Sequence, residues 1–279
     1  MEEVGLKWYS PGRIVVYVVL TIMSILSLFP FYWMFVIGSN NTAAINKFPP
    51  AMLPGSEFMV NAQKVFSNID FFAAIGNTVI AATAVTVSVL FFCSLAGFAF
   101  SKLEFKGKKY LFIFVLATMM VPTQLGIIPS YIIMSKLGWI NSLNAVIVPG
   151  MVNAFGVFWM RQYITATIPD EIMEAGRIDG CSNFRLYWNI VLPSISPAVA
   201  TLGLITFMAV WNDFLWPLVV LKEQSIQTIQ IALRTLNGAY FTDYAMILNG
   251  TFLATLPILI VFLLFSKQFI AGLTEGSVK

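Results

Sequence analysis

From Ile14 to Ile37 the chain carries no charged side chain, and from Phe71 to Ser101 it again carries none. Each run is longer than the roughly 20 apolar residues that a helix needs to cross the hydrocarbon core of a bilayer. The remainder is scarcely more polar. Charged residues make up 10% of the 279 positions and hydrophobic residues 58%, where a soluble domain carries roughly 25% charge. Mean hydropathy is +0.83. An all-α, polytopic membrane protein follows, and the length accommodates about six helical spans with short loops.

Reading the apolar runs in order gives spans at about 14–37, 73–101, 110–134, 142–163, 194–217 and 245–266, within a single transmembrane domain, 1–279. Pro30 marks a kink near the far end of the first span. That span is too long for the core of a cleavable signal. Pro122, Gln124, Gly126 and Pro129 interrupt the third, and Pro149-Gly150 lies inside the fourth. Asn77, Thr78, Ser88, Ser94 and Gly97 give the second span small and hydroxyl-bearing positions suited to helix packing.

Six spans put both termini on one side. Lys7, Arg13, Lys102, Lys106, Lys108, Lys109, Arg161, Arg177, Arg185, Lys267 and Lys279 then share that side, eleven of the 16 basic residues. Cytoplasmic loops collect Lys and Arg, so this side is read as the cytoplasm. Lys106-Gly107-Lys108-Lys109 reads as a basic, lipid-facing turn.

The segment 167–193 stands out because its charge is dense. Asp170, Glu171, Glu174, Arg177, Asp179 and Arg185 fall close together. Each would cost roughly 2.5–3.5 kcal/mol at mid-bilayer, so the segment lies outside the lipid. It still has the marks of structure. Pro169 suits a first helical turn, and Asp170 and Glu171 face the positive end of the helix dipole. Gly180 is a natural left-handed stop. Ser182 can cap a second helix running through Phe184 and Trp188 until Pro193 breaks it.

Glu174-Ala175-Gly176, two residues, Asp179-Gly180, then Ile190-Val191-Leu192-Pro193 resembles the EAA loop of the membrane subunits of binding-protein-dependent ABC importers. With Ile168-Pro169-Asp170-Glu171 before it, the loop is similar to the carbohydrate-uptake branch related to maltose permeases. Gly176 replaces the usual second Ala of the motif, and Cys181 stands where Ala or Ser is common; both are small. The resemblance implies the type I importer fold and a loop that docks into a cleft on a cytoplasmic ATPase. Its coupling residues would be Pro169, Glu174, Ala175, Gly176, Asp179, Gly180, Leu192 and Pro193. Small Ala175 and Gly176 would let the partner surface approach. An amphipathic loop that merely joins two spans is the plainer alternative.

The tail adds a second resemblance. Gly272-Leu273-Thr274-Glu275-Gly276-Ser277-Val278-Lys279 is similar to the ending of maltose-type subunits, which implies ATPase contact through Gly272, Leu273, Thr274 and Gly276. Its glycines permit an extended backbone to lie close to another protein. A frayed terminus fits the same residues. Trp211-Asn212-Asp213-Phe214 resembles a segment common in sugar permeases. A carboxylate beside a span is functional by default, and rings with amides suit a sugar, so Trp211, Asn212 and Asp213 are pathway candidates. Gln124, in a broken span, is another. An outer aromatic belt would also explain the tryptophans.

The resemblance implies three kinds of partner besides lipid: a second homologous permease subunit, two ATPase subunits and an extracytoplasmic sugar-binding protein, assembled in a bacterial or archaeal cytoplasmic membrane. The cargo expected is an oligosaccharide. The chain lacks the G-x-x-x-x-G-K-[ST] run, so ATP and Mg belong to the partner ATPases and no cofactor is expected here. Histidine is absent, which removes Ser/His/Asp and Cys/His catalysis, and Cys93 and Cys181 make no disulfide framework or metal site. The basic residues are scattered over loops, which argues against nucleic acid. Two other classes stay open. An ABC importer could carry a polyol, phosphodiester or peptide. An ion-coupled transporter would need intramembrane carboxylates, and Asp213 is the sole candidate.

Overall fold

The computed structural model describes residues 11–45, 47–238 and 242–274, the side chains of 11 and 268–274 excepted. Its longer helices, in chain order, are α1 (Pro11–Gly38), α2 (Phe58–Asn68), α3 (Phe71–Lys102), α4 (Lys108–Met119), α5 (Ile127–Lys136), α6 (Asn144–Gly150) and α7 (Ala154–Thr167). They continue with α8 (Asp170–Ile178), α9 (Asn183–Leu186), α10 (Ser196–Trp211), α11 (Leu215–Val220), α12 (Ile229–Thr235) and α13 (Tyr244–Thr274). No strand occurs among the described residues.

Three helices are long and apolar enough to cross a membrane unbroken: Gly12–Gly38, Phe71–Lys102 and Tyr244–Lys267. α1 stays helical through Pro30. The other expected spans are broken. α4 and the stretch Thr123–Lys136 meet at 93°, across a short 3-10 turn that opens α5. Pro122, with no N–H to continue the ladder, precedes this corner. The expected fourth span, 142–163, is divided between α6 and α7. Pro149 weakens the end of α6, and Asn153 caps α7 by accepting a hydrogen bond from the Gly156 amide at 2.7 Å. The fifth begins at a 78° bend after Ser194 and ends as α10 at Trp211.

Contacts gather the chain into two compact units, Met1–Asn68 with Leu236–Thr255, and Ile69–Thr235 with Leu256–Lys279. In the first, Phe35, Phe58 and Phe252 form an aromatic cluster with centroids 5.2–6.0 Å apart. Gly38 lies so close to Asn249 that a Cβ there would fall 2.9 Å from its backbone. The Asn249 amide donates to the carbonyls of Gly38 and Phe58, both at 3.0 Å. Asp243 caps α13 through the Met246 amide and accepts from Thr42 Oγ1 at 2.7 Å and from Lys64 Nζ at 3.2 Å. Burial alone would raise the Asp243 carboxyl, but Thr42, the Met246 amide and Lys64 together bring it below the usual carboxylate range. Ile14 to Tyr32 of α1 are exposed and almost wholly apolar, as a lipid-facing helix requires.

The second unit is built round α3. Gly97 is pressed against Met160 and Arg161 of α7, and Gly156 of α7 against Cys93 of α3. Gly150 of α6 meets Val85, and Gly203 of α10 meets Leu90. Helices in lipid gain little from hydrophobicity, so association rests on close packing of small residues such as these. The core they enclose includes Val89, Cys93, Phe98, Met160, Ile164, Leu186, Tyr187, Ile195 and Leu202. A Cβ at position 97 would lie 2.7 Å from Met160 Cβ. Gly97→Val should therefore cost about 1–3 kcal/mol by overpacking, whereas Gly76→Ala, with nothing within 4 Å of its Cβ position, should not. Thermal stability of the two purified variants in detergent checks this; equal midpoints would refute close packing at Gly97.

Candidate functional site

The charged segment folds as two short helices at a bend. Pro169 stands one position before α8, with an extended ψ of 149°, and does not occupy the first helical turn. Asp170 and Glu171 fill that turn as expected. At the other end Asp179 is the last half-helical residue and Gly180 adopts φ +74°. The Cys181 amide donates to the Gly176 carbonyl at 2.9 Å, and the Gly180 amide to Arg177 at 3.1 Å. These two bonds make a Schellman stop, which needs a left-handed residue at position 180. Ser182 then caps α9, its Oγ accepting from the Arg185 amide at 3.3 Å.

Pro193 does not end this second helix. The chain widens into a π-turn over Tyr187–Val191, in which the Leu192 amide reaches the Tyr187 carbonyl, and stays helical to Ser194. The wider turn relieves the ladder ahead of the proline. The bend falls at Ile195, which is fully buried. Leu192 is half-buried and Pro193 exposed.

α8 divides by face. Met173 and Gly176 point inward, and a Cβ at 176 would collide with the side chain of buried Leu186. The glycine therefore makes room for the loop's own second helix, and an outside surface cannot reach it. One position on, 100° of helical turn changes the face. Glu171, Glu174, Ala175 and Ile178 are exposed, and Ile178 is 86% accessible. Beside this face Phe184 stacks on Trp188 at 6.2 Å, both more than half or about half open. In the sequence these two rings mark only the course of the second helix; their open apolar surface depends on how that helix packs.

Three links hold the segment to α3. Lys102, the last residue of α3, has a side chain only 4% accessible, and its Nζ lies 2.6 Å from Asp170 Oδ1. The Lys102 carbonyl accepts from Arg177 at 3.3 Å, a cation at a helix C-terminus. Further in, Tyr187 Oη and Ser94 Oγ of α3 are 2.7 Å apart. The Lys102 hydrogen bond and charge hold the Asp170 carboxyl below its ordinary range. A depressed carboxylate contributes its link above its unfolded value and loses it only as pH falls through the lowered one. The link is thus fully present near neutral pH.

The pathway candidates separate. Gln124 and Asp213 line one cavity of about 450 Å³, with Thr123, Ser130, Pro149 and Trp216. Trp211 does not join them. It is buried, stacked on Phe207 at 5.7 Å. Asn212 turns back to donate to the Met208 carbonyl at 2.8 Å. Asp213 accepts from the backbone amides of Phe214, Leu215 and Trp216 at the start of α11. Trp216, which donates from Nε1 to the Ala145 carbonyl at 2.8 Å, is the tryptophan at the cavity. In the tail, α13 is helical through Gly272, Leu273 and Thr274, and Gly276 lies outside the described residues.

Comparison with known proteins fits this arrangement. Residues 91–273 match the family model described as "Binding-protein-dependent transport system inner membrane component". The chain is 39% identical over 204 residues, 73% of each chain, to the arabinooligosaccharides transport system permease protein AraQ of Halalkalibacterium halodurans. It is 34% identical to the lactose transport system permease protein LacG of Rhizobium radiobacter, over 95% of this chain and 96% of that one. Its fold is similar to a chain in the crystal structure of a bacterial ABC transporter for import of the acidic polysaccharide alginate, with a TM-score of 0.80, 23% identity, and coverage of 94% of this chain and 99% of that one. With the family model covering the α3 to α13 region that carries the charged segment, the chain belongs to the inner membrane components of binding-protein-dependent transport systems.

Proposed function

We propose that the chain is the membrane-spanning subunit of an ATP-driven importer for an oligosaccharide, and that all of 1–279 serves as one permease domain. The relatives named for arabinooligosaccharides and lactose support a carbohydrate cargo. A binding protein outside the membrane delivers the sugar, as the family description implies. A second permease subunit of the same kind completes the pathway, and two ATPase subunits below supply the energy. Both termini and the segment 167–193 face the cytoplasm. This chain performs no chemistry and holds no cofactor. Gln124 and Asp213 face the solute where the broken helices leave a cavity.

The observation that carries this reading is the exposed face of α8 on a base tied to α3. Glu174 and Ala175 meet the ATPase together with Ile178 and the Phe184–Trp188 pair. Asp179 and Gly180 set the angle between the two helices. Closure of the ATPase dimer pushes on this face, and the Lys102–Asp170 and Tyr187–Ser94 links pass the displacement to α3. The spans then exchange between two arrangements, a bistable change of the kind that packed helices support. The helical end at Gly272–Thr274 and the following Gly276 provide a second ATPase contact.

Glu174→Ala removes an exposed charge and leaves the packed face of α8 untouched. A hydrogen bond to a charged group is worth about 1.5–3 kcal/mol, so docking should weaken about ten-fold or more. The variant should reach the membrane at normal levels, lose most sugar uptake, and leave ATP hydrolysis unresponsive to the binding protein. Normal uptake at normal expression would contradict the assignment.

A further inference from the structure

The basic turn between α3 and α4 is more than a polar connection. It closes a cavity of about 460 Å³ lined by Phe100, Phe105, Lys108, Lys109, Tyr110 and Arg161, among others. The Arg161 guanidinium lies over the Phe112 ring, 4.2 Å from its centroid. Its Nε donates to the Phe100 carbonyl at 3.4 Å and one terminal nitrogen to Gln162 Oε1 at 2.7 Å. Stacking fixes the plane of the guanidinium. Lys108 is already paired with Glu104 at 3.0 Å, which cancels one charge of each sign. Lys109 and Arg161 are left as a net positive pair at the cavity.

The surroundings say what kind of anion fits. The cavity sits at the end of α3 that carries Lys102, on the same side as the charged segment. With α3 and α4 read as spans, it lies at their cytoplasmic ends, and its lining includes Tyr110, a residue type enriched at membrane interfaces. From it the outer face of α4 continues as exposed Tyr110, Leu111, Ile113 and Phe114. A free anion would have no use for that apolar track, whereas acyl chains would lie along it. Basic pockets between membrane helices on the cytoplasmic side suit anionic head groups. We propose that this cavity binds the phosphate head group of an anionic phospholipid, held by Arg161 and Lys109, with its chains against α4. The site is independent of the cargo and needs only that α3 and α4 enter the bilayer.

The full chain, purified in neutral detergent, can be titrated with phosphatidylglycerol or phosphatidylcholine and the adducts counted by native mass spectrometry. Phosphatidylglycerol should bind at least about ten-fold more tightly, at about five-fold per engaged cation. Lys109→Gln alone, an exposed position, should lose about five-fold. The double variant Lys109→Gln/Arg161→Gln should fall to the phosphatidylcholine level. Arg161→Lys should keep most of the preference, and Lys136→Gln, on α5, should keep all of it. Equal binding of the two lipids, or an unchanged preference in Lys109→Gln and the double variant, would overturn the proposal. Displacement of phosphatidylglycerol by millimolar inorganic phosphate would also overturn it, by assigning the cavity to a free anion.

Discussion

Close backbone approach to α3 is the condition on which the second unit depends. Four contacts allow it: Gly97 at Met160, Gly156 at Cys93, Gly150 at Val85 and Gly203 at Leu90. In water, burying leucines would bring helices together. In lipid, the acyl chains are as apolar as leucine, so packing and a few hydrogen bonds carry the association. The polar groups inside the unit follow the same economy. Ser94 meets Tyr187, the Trp159 indole donates to the Ala198 carbonyl, and Thr78 accepts from the Ile229 amide. Each joins two segments and leaves neither partner facing hydrocarbon.

The same helix gives the charged segment its base. An ammonium as enclosed as that of Lys102 needs a counter-charge, because burial without one is expensive. Asp170 supplies it from the first turn of α8, while Arg177 returns a cation to the C-terminal carbonyl of α3. Deeper in, Leu186 fills the notch at Gly176, and Tyr187 reaches Ser94. The loop is therefore continuous with the core it would drive. Its outer face, from Glu171 to Ile178, remains open.

Much of this was legible in the residues. Uncharged runs located α1, α3 and α13, because lipid tolerates little else at that length. The Schellman stop at Gly180 and the cap at Ser182 were legible because each depends on one residue with one local role. What escaped was set by tertiary contacts. The spacing alone could not tell that Gly176 faces Leu186, since that depends on how the second helix folds back. Proline at 193 suggested a break, but a π-turn ahead of it absorbed the misfit. The grouping of Trp211, Asn212 and Asp213 was a grouping in sequence. At the end of α10 their side chains diverge, and Trp216 from α11 meets Gln124 from the broken third span at the cavity. The 93° corner after α4 could be located by Pro122, but its angle could not be read from the sequence.

The central claim is that the loop-bearing end of the structure and α3 move as one body. Ser101 of α3 and Thr165 of α7, two residues before the loop, have hydroxyl oxygens 2.9 Å apart. Cysteines at both positions, with Cys181 replaced by serine, are joined by a disulfide when the cells are treated with a membrane-permeant oxidant, since the cytoplasm keeps thiols reduced. Sugar uptake by cells carrying the importer can then be compared before and after reduction. The account predicts equal uptake with the bond formed or broken, since nothing at that junction has to move. Uptake that is abolished by the disulfide and restored by reductant would contradict it.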